Sequence, residues 1–315
     1  MKNKTMKQWV MSMGICLMAI ASVVHGIEPA GETKVAKSPF DLSAKARAER
    51  EQIYSVPGRA NLSGKDTPLK DGMKIAFYGD SITMQGRYIR EIKSALKEGE
   101  GTRGMTIQVF QHGLNGGRVP TVLEGKCPWG DFKATMQELL DREKADVVCI
   151  LLGVNDVWHG KNGTSPEDFE AGLKKMVAMA RAAGAKAVVL APLAVLKENA
   201  GKWNPKADEF VEITRKVAAD TGAGLADVRK AFKAYLQNNG TETLPDGTIT
   251  FKGKLLTYDG VHANEEGGKV VADIISQAVC DAMKKADSGA APAKQPPPVD
   301  KKTDKPQIIV KNHLI

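Results

Sequence analysis

Five short apolar runs recur along the middle of the chain, separated by stretches with a helical period. The runs are KIAFY (residues 74–78), TIQVFQ (106–111), DVVCILL (146–152), KAVVLA (186–191) and the weaker GLADV (224–228). Most are continuously apolar rather than alternating, which is typical of strands covered on both faces. They therefore predict a mostly parallel five-stranded sheet with helices on both sides.

The clearest helical patterns lie between and after these runs. They predict helices over Arg87–Lys97, Asp131–Lys144, Ser165–Ala183, Lys206–Thr221 and Asn264–Lys285, with a further helical patch at Ala44–Ile53. Ser165 followed by Pro166 is a helix-start signal, because serine caps the first turn and proline fits inside it. The stretch LPDGTITFKGKLL (244–256) predicts a small hairpin.

The two ends of the chain differ from its middle. A basic start, an apolar run of 16 residues and the sequence Val24-His25-Gly26 are typical of a signal peptide over residues 1–26, so we expect export to the periplasm or medium. A retained membrane anchor is the alternative, although such a run is short for a span of about 20 residues. Residues 27–72 are interpreted as a lead-in segment and 73–287 as the main domain. The proline- and lysine-rich stretch over 288–315 predicts a disordered tail.

Charge and cysteine content exclude some classes of function. The net charge is +8, but three of the lysines lie in the first 26 residues and the rest form no basic stripe with interleaved aromatics. We therefore expect no nucleic-acid partner. The four cysteines are Cys16, Cys127, Cys149 and Cys280. Cys149 is expected to be a buried strand thiol, and Cys127 and Cys280 could pair only if the fold brought them together. Neither a metal nor a cofactor is expected.

Polar residues suited to catalysis follow the predicted strands, at the ends where ligand sites form in parallel sheets. Gly79-Asp80-Ser81 follows the first strand, GLNGG (113–117) the second and GVND (153–156) the third. The sequence DGVH (259–262) precedes the last helix. Each stretch alone has an ordinary explanation as a helix cap or a tight turn.

Together these residues supply the groups that ester hydrolysis through a covalent intermediate requires. Ser81 can act as the nucleophile, His262 as the base, and Asp259, three residues earlier, can orient the imidazole. The backbone N–H groups of Ser81 and Gly116 and the side-chain amide of Asn155 can form an oxyanion hole. Glycine at position 116 leaves space for a close carbonyl oxygen.

The four ordered blocks resemble those of the SGNH hydrolases, also called the GDSL esterase/lipase family. GDSIT (79–83) matches the serine block, GLNGG the glycine block, GVND the asparagine block and DGVH the histidine block. The resemblance covers about residues 74–283 and departs only at Ile82, where the family name has leucine. It implies a flavodoxin-like three-layer α/β/α fold, a serine esterase mechanism, an open site and no required metal. Thr83 stands where a G-x-S-x-G turn needs glycine, which argues against an α/β-hydrolase.

The expected function is an exported serine esterase that removes acetyl groups from carbohydrates, acting on a small-molecule or glycan ester. One alternative is a lysophospholipase, lipase or aryl esterase on the same fold. A non-catalytic glycan-binding module is another, although the intact Ser81, Asp259 and His262 argue against it. We expect no stable membrane insertion after signal cleavage. Candidate substrate-binding residues are Asp80, Arg118, Trp158 and His159. The alternative is packing for Trp158, a solvated side chain for Arg118 and a structural or surface role for His159. Asp80 and Asp156 are expected chiefly to brace their turns.

Overall fold

A computed structural model describes residues 43–126, 134–158, 163–194, 205–245 and 249–289. The predicted signal segment and nearly all of the predicted tail lie outside these residues, as do Cys127 and His159. Within the described residues, no helix combines the length and the apolar character needed to cross a membrane.

A five-stranded parallel sheet forms the centre of the molecule, as the apolar runs predict. Its strands are β1 (Lys74–Gly79), β2 (Gln108–Gly113), β3 (Val147–Leu152), β4 (Ala187–Pro192) and β5 (Gly224–Leu225). They lie in the order β2-β1-β3-β4-β5. The strand order reverses at β1, which pairs with β2 on one side and β3 on the other. Ligands of open α/β sheets bind beyond the carboxyl ends of the strands at such a reversal point.

Burial explains which strands the sequence predicts best. Every residue of β3 and β4 is buried, whereas the edge strand β2 is half-exposed. The strand predicted over residues 224–228 is wrong beyond Leu225. The side chain of Asp227 there accepts a hydrogen bond from the Lys230 backbone N–H and caps a helix instead. Cys149 of β3 is buried as expected, and this burial raises the pKa of its thiol.

Helices cover both faces of the sheet, which confirms the predicted three-layer α/β/α fold. They are α1 (Ala44–Tyr54), α2 (Gly58–Ser63), α3 (Ser81–Gln85), α4 (Arg87–Glu98), α5 (Val119–Glu124), α6 (Met136–Glu143), α7 (Val154–Trp158), α8 (Pro166–Ala182), α9 (Pro205–Thr221), α10 (Val228–Asn239) and α11 (Glu265–Asp287). Helices α2, α4 and α11 pack together, and α5, α6 and α9 each contact α8. Of the helix predicted over 131–144, residues 131–133 lie outside the described chain. The helix itself begins after Thr135, whose hydroxyl caps it.

The described part of the predicted lead-in segment, residues 43–72, is held to the rest of the domain by packing and by ion pairs. Helix α1 contacts α10, and α2 contacts α11. The Arg59 guanidinium bonds the carboxylate of Asp273 at 2.9 Å and also that of Glu91. At Gly58 an added Cβ would lie 1.7 Å from the Asp273 carbonyl oxygen, so only glycine permits this approach of α2 to α11.

The small hairpin begins earlier than the sequence predicts. Strand β6 (Thr241–Thr243) pairs antiparallel with β7 (Ile249–Phe251), so its first strand ends before residue 244. Pro245 lacks the N–H group that would continue the ladder through the predicted first strand. The hairpin leads into the loop that carries Asp259 and His262.

Candidate active site

The four polar stretches meet in one open cleft at the carboxyl end of the sheet. The cleft has a volume of about 590 Å³. It is lined by Ser81, Gln85, Asn115, Gly116, Val154, Asn155, Trp158, Asp259, Val261 and His262. The fold thus brings together residues that are as much as 181 positions apart in the chain.

A tight turn places Ser81 at the start of a helix. Strand β1 ends at Gly79, and Ser81 is the first residue of α3. A Cβ at position 79 would lie 2.0 Å from the Thr83 hydroxyl oxygen and 2.6 Å from the Leu151 carbonyl oxygen. Glycine is therefore required for the chain to turn so closely over β3, and the turn presents the Ser81 side chain to the cleft.

Asp80, rather than Ser81, caps this helix. Its Oδ1 atom accepts a hydrogen bond of 2.8 Å from the Ile82 backbone N–H. The side chain is fully buried, and Oδ2 has no hydrogen-bond partner among the described residues. Burial, together with the nearby charge of Asp156, raises the Asp80 pKa to about 7, although the Ile82 hydrogen bond opposes this. The prediction that Asp80 binds substrate is wrong for this structure, because a buried carboxyl group cannot contact a ligand in the cleft.

The raised pKa of Asp80 predicts a pH-dependent stability that Asp80→Asn should remove. The folded protein holds this proton from the ordinary value of 3.8 up to about 7, whereas the unfolded chain has already lost it. Protonated Asp80 therefore contributes its full stabilisation to the folded protein below about pH 4. This contribution falls progressively as the pH rises and is lost once the pH passes about 7. Asparagine can still cap the helix and carries no charge. The variant should gain stability relative to wild type between pH 5 and pH 8, by up to about 3 kcal/mol, measured by urea unfolding.

Asp66→Asn is the matched control, since Asp66 is exposed on the surface. This substitution should change the free energy of unfolding by the same amount at pH 5 and at pH 8. A difference between wild type and Asp80→Asn that stays constant from pH 5 to pH 8 would contradict a buried, titrating Asp80.

A continuous chain of hydrogen bonds joins Ser81, His262 and Asp259. The Ser81 Oγ atom lies 2.8 Å from His262 Nε2, and His262 Nδ1 lies 2.6 Å from Asp259 Oδ2. The other oxygen of Asp259 accepts hydrogen bonds from the backbone N–H groups of Val261 (2.9 Å) and His262 (2.8 Å). Each carboxylate oxygen therefore has its own partners, and the three-residue spacing lets one short loop hold the pair.

The local sequence shapes this loop. Gly260 has a φ of 98°, a conformation that favours glycine, and it lets the chain turn back within three residues. An antiparallel bridge between Thr257 and Ala263 closes the base of the loop. Asn264 then caps α11 by accepting a hydrogen bond from the Gly267 N–H. The His262 side chain is thereby fixed between a closed turn and a helix start.

Hydrogen bonding keeps Asp259 in its charged form. Partial burial raises the pKa of this carboxyl group, but the backbone and side-chain hydrogen bonds from His262, with that from the Val261 N–H, outweigh it. The net pKa lies below the ordinary value. Asp259 therefore remains a carboxylate at neutral pH and can stabilise a positive charge on the imidazole.

The predicted oxyanion donors line the same cleft as Ser81. Gly116 has a φ of 63°, a backbone conformation that glycine adopts readily. Asn155 lies in the first turn of α7, and its Nδ2 donates to the Gly117 carbonyl oxygen at 3.1 Å. Because an amide nitrogen carries two N–H groups, one can hold the glycine loop while the other serves an oxyanion.

Asp156 braces the asparagine loop, as its sequence position predicts. It is fully buried, and burial raises its pKa. Its Oδ1 atom accepts hydrogen bonds from the Val119 backbone N–H and the Thr164 hydroxyl. Asp156 thus fixes the start of α7 to the start of α5, and it holds Asn155 in place without reaching the cleft.

The remaining candidates occupy different positions. Trp158 ends α7 at the rim of the cleft, with half of its surface exposed. Arg118 lies at the start of α5, where its positive charge partly offsets the rise in the Asp156 pKa that burial causes. His159 lies outside the described residues. His112 is close in sequence to the glycine block, but its Nε2 atom instead lies 2.7 Å from a carboxylate oxygen of Glu143.

Sequence reasoning missed several residues that line the cleft or contact the imidazole. Gln85 is one, although its position four residues after Ser81 places it on the same helix face. Val154 and Val261 line the cleft beside the motif residues. Tyr258 stacks on the His262 ring. In the sequence, only its position directly before Asp259 connects it with the site. Among the described residues, no group of three or more histidine, cysteine or acidic side chains is arranged to hold a metal.

Comparison with known proteins defines the class to which this fold and site belong. The profile of the GDSL-like lipase/acylhydrolase family matches residues 77–270, which include the four blocks. The chain therefore belongs to this family and is an ester hydrolase, which confirms the resemblance to the SGNH hydrolases.

Three relatives illustrate the similarity. An acetylxylan esterase of Geobacillus stearothermophilus is 23% identical over 231 residues, which cover 65% of this chain and 92% of the relative. An acetylxylan esterase of Xylanibacter ruminicola is 26% identical over 243 residues, covering 67% of this chain and 44% of that longer protein. The crystal structure of an acetyl xylan esterase, AlAXEase, superposes with a TM-score of 0.53 at 28% identity, covering 66% of this chain and all of that one.

Proposed function

We propose that this protein is a serine esterase that removes acetyl groups from glycans. The observation that carries the proposal is the hydrogen-bonded series Ser81–His262–Asp259 in a cleft that also contains Gly116 and Asn155. The names of the relatives support acetyl as the acyl group and a glycan as the alcohol. The exposed ring of Trp158 at the rim supports the same class, because an aromatic face suits the apolar face of a sugar.

The first half of the reaction forms an acyl-enzyme. The Ser81 Oγ atom attacks the ester carbonyl carbon while His262 Nε2 takes the hydroxyl proton. The resulting oxyanion is stabilised by the backbone N–H groups of Ser81 and Gly116 and by the Asn155 amide. When the tetrahedral intermediate collapses, His262 gives its proton to the alcohol oxygen, and the sugar hydroxyl leaves.

In the second half of the reaction, the same groups hydrolyse the acyl-enzyme and release the acid. His262 removes a proton from water, the hydroxide attacks the acyl carbon, and the same donors stabilise the second oxyanion. Collapse returns the proton from His262 to Ser81 and frees acetic acid, which ionises to acetate in water. Asp259 remains ionised throughout and stabilises the imidazolium that forms in each half.

The proposal includes export of the chain. Its support is the basic and then apolar N-terminus, since acetylated glycans of cell walls and plant material lie outside the cytoplasm.

A comparison of acyl groups and alcohols tests the substrate class. The purified protein is assayed with p-nitrophenyl acetate, butyrate and octanoate, and by acetate release from acetylated xylo-oligosaccharides. We expect kcat/KM to be highest for acetate and to fall at least roughly tenfold by octanoate, because a site shaped for a short acyl group excludes a longer one. Acetate should also be released from the oligosaccharide. Deacetylated oligosaccharide is the control.

The opposite order would favour the alternatives. A preference for octanoate with no acetate release from the oligosaccharide would indicate a lipase or lysophospholipase. Hydrolysis confined to p-nitrophenyl esters of every length would indicate an aryl esterase. Either result would reject the glycan acetylesterase while leaving the serine mechanism intact.

A further inference from the structure

Tyr258 is a large aromatic residue on the surface, immediately before Asp259, and it contacts the base of the proposed reaction. Its side chain is nearly half-exposed, so it is not a core residue. Its ring lies almost parallel to the His262 imidazole, with 5.8 Å between the ring centroids and 16° between the planes. The Arg87 guanidinium lies 5.5 Å from the centroid of the same tyrosine ring.

The hydroxyl group of Tyr258 connects this loop to the helix that carries the nucleophile. It accepts a hydrogen bond of 2.8 Å from Gln85 Nε2, and Gln85 is the last residue of α3. Helix α3 therefore contacts the histidine loop at both of its ends, through Ser81–His262 and through Gln85–Tyr258. Helix α3 is itself held by its packing on β1 and β2. The two contacts with the loop therefore set the position of the imidazole relative to an anchored nucleophile.

The backbone of the loop does not supply this connection. The Tyr258 N–H donates to the His262 carbonyl oxygen at 3.1 Å, and Thr257 pairs with Ala263. Both contacts lie within the loop and shape it, but they do not join it to α3. The side chain of Tyr258 thus links two elements that are far apart in the sequence.

We infer that Tyr258 is a positioning residue, which holds His262 at hydrogen-bond distance from Ser81 through its ring and through the hydroxyl–Gln85 bond. The inference rests on the proposed function, since it assigns His262 as the base. The ring also faces the imidazole that becomes cationic during each proton transfer, and an aromatic face stabilises a nearby cation. Tyr258 acts through His262 and need not touch the substrate.

Conservative variants separate the hydroxyl group from the ring. Tyr258→Phe keeps the ring and removes the hydrogen bond, so kcat for p-nitrophenyl acetate should fall by about 3- to 10-fold with an unchanged KM. Gln85→Met removes the donor at similar volume and should lower kcat by a similar factor. The double variant should be no slower than either single variant, because both remove the same bond. Tyr258→Ala also removes the ring, and kcat should fall roughly 100-fold.

Tyr235→Phe on α10 is the matched control. Tyr235 packs edge-to-face against Tyr54, with 5.0 Å between the ring centroids, and it does not line the cleft. Tyr235→Phe also removes a tyrosine hydroxyl group, but it should leave kcat unchanged. If Tyr258→Ala fails to fold, the phenylalanine variant and the double-mutant cycle still decide the question.

Three outcomes distinguish this inference from the proposed function. Wild-type kcat in Tyr258→Phe and Gln85→Met, or additive losses in the double variant, would overturn the positioning role. If those results are obtained while Ser81→Ala is inactive in the same assay, only the role of Tyr258 is rejected and the proposed function stands. If Ser81→Ala retains turnover, the proposed function itself fails, whatever the Tyr258 variants show.

Discussion

Ser81→Ala is expected to lower kcat for p-nitrophenyl acetate by roughly 10⁴- to 10⁶-fold, with little change in KM. The only change is loss of the Oγ atom that lies 2.8 Å from His262 Nε2. Without that atom no acyl-enzyme can form, and the residual rate is that of water attack assisted by the oxyanion donors. The helix cap is unaffected, because Asp80 and not Ser81 provides it. The variant should therefore unfold at the same urea concentration as the wild type.

Ser94→Ala provides the control for this substitution. Ser94 lies exposed on α4, where its hydroxyl bonds Glu98 at 3.0 Å, and its loss should not affect kcat. Turnover by Ser81→Ala above about a tenth of the wild-type rate would mean that another group attacks the ester. That result would reject the covalent mechanism, even if the protein proved to act on acetylated glycans.

Much of the sheet could be predicted from the sequence because its strands are buried on both faces. The run over 147–152 is continuously apolar, and all six of these residues, which form β3, are buried. The short helices α5 and α7 were not predicted, since five or six residues show no clear helical period. Their formation depends on tertiary contacts such as the bond from the Val119 N–H to Asp156.

The candidate site was predictable as far as its residues lie in short motifs. Ser81, Gly116, Asn155, Asp259 and His262 each follow or precede a regular element, and parallel strands bring such positions to one edge. The Gln85–Tyr258 contact joins residues 173 positions apart and belongs to no motif, so only the fold reveals it. The burial of Asp80 was equally hidden, because the same Gly-Asp-Ser turn could have exposed its carboxyl group to the cleft.

Asp259→Asn is expected to lower kcat by about 10³- to 10⁴-fold through a change of tautomer. The asparagine oxygen can still accept the N–H groups of Val261 and His262, so the loop should keep its shape. The amide nitrogen would replace the oxygen that lies 2.6 Å from His262 Nδ1, and it is a donor. It would favour the imidazole protonated on Nε2, which cannot accept the Ser81 proton.

The control for charge removal is Asp281→Asn, because Asp281 is exposed on α11, away from the cleft. It should leave kcat unchanged. The Asp259→Asn variant should retain its KM and its urea midpoint at neutral pH to within small changes, since its backbone contacts persist. Wild-type kcat in Asp259→Asn would show that His262 is oriented without the carboxylate, and the site would then work as a Ser81–His262 pair. A large fall in kcat with intact folding would instead identify Asp259 as the group that sets the tautomer of the base.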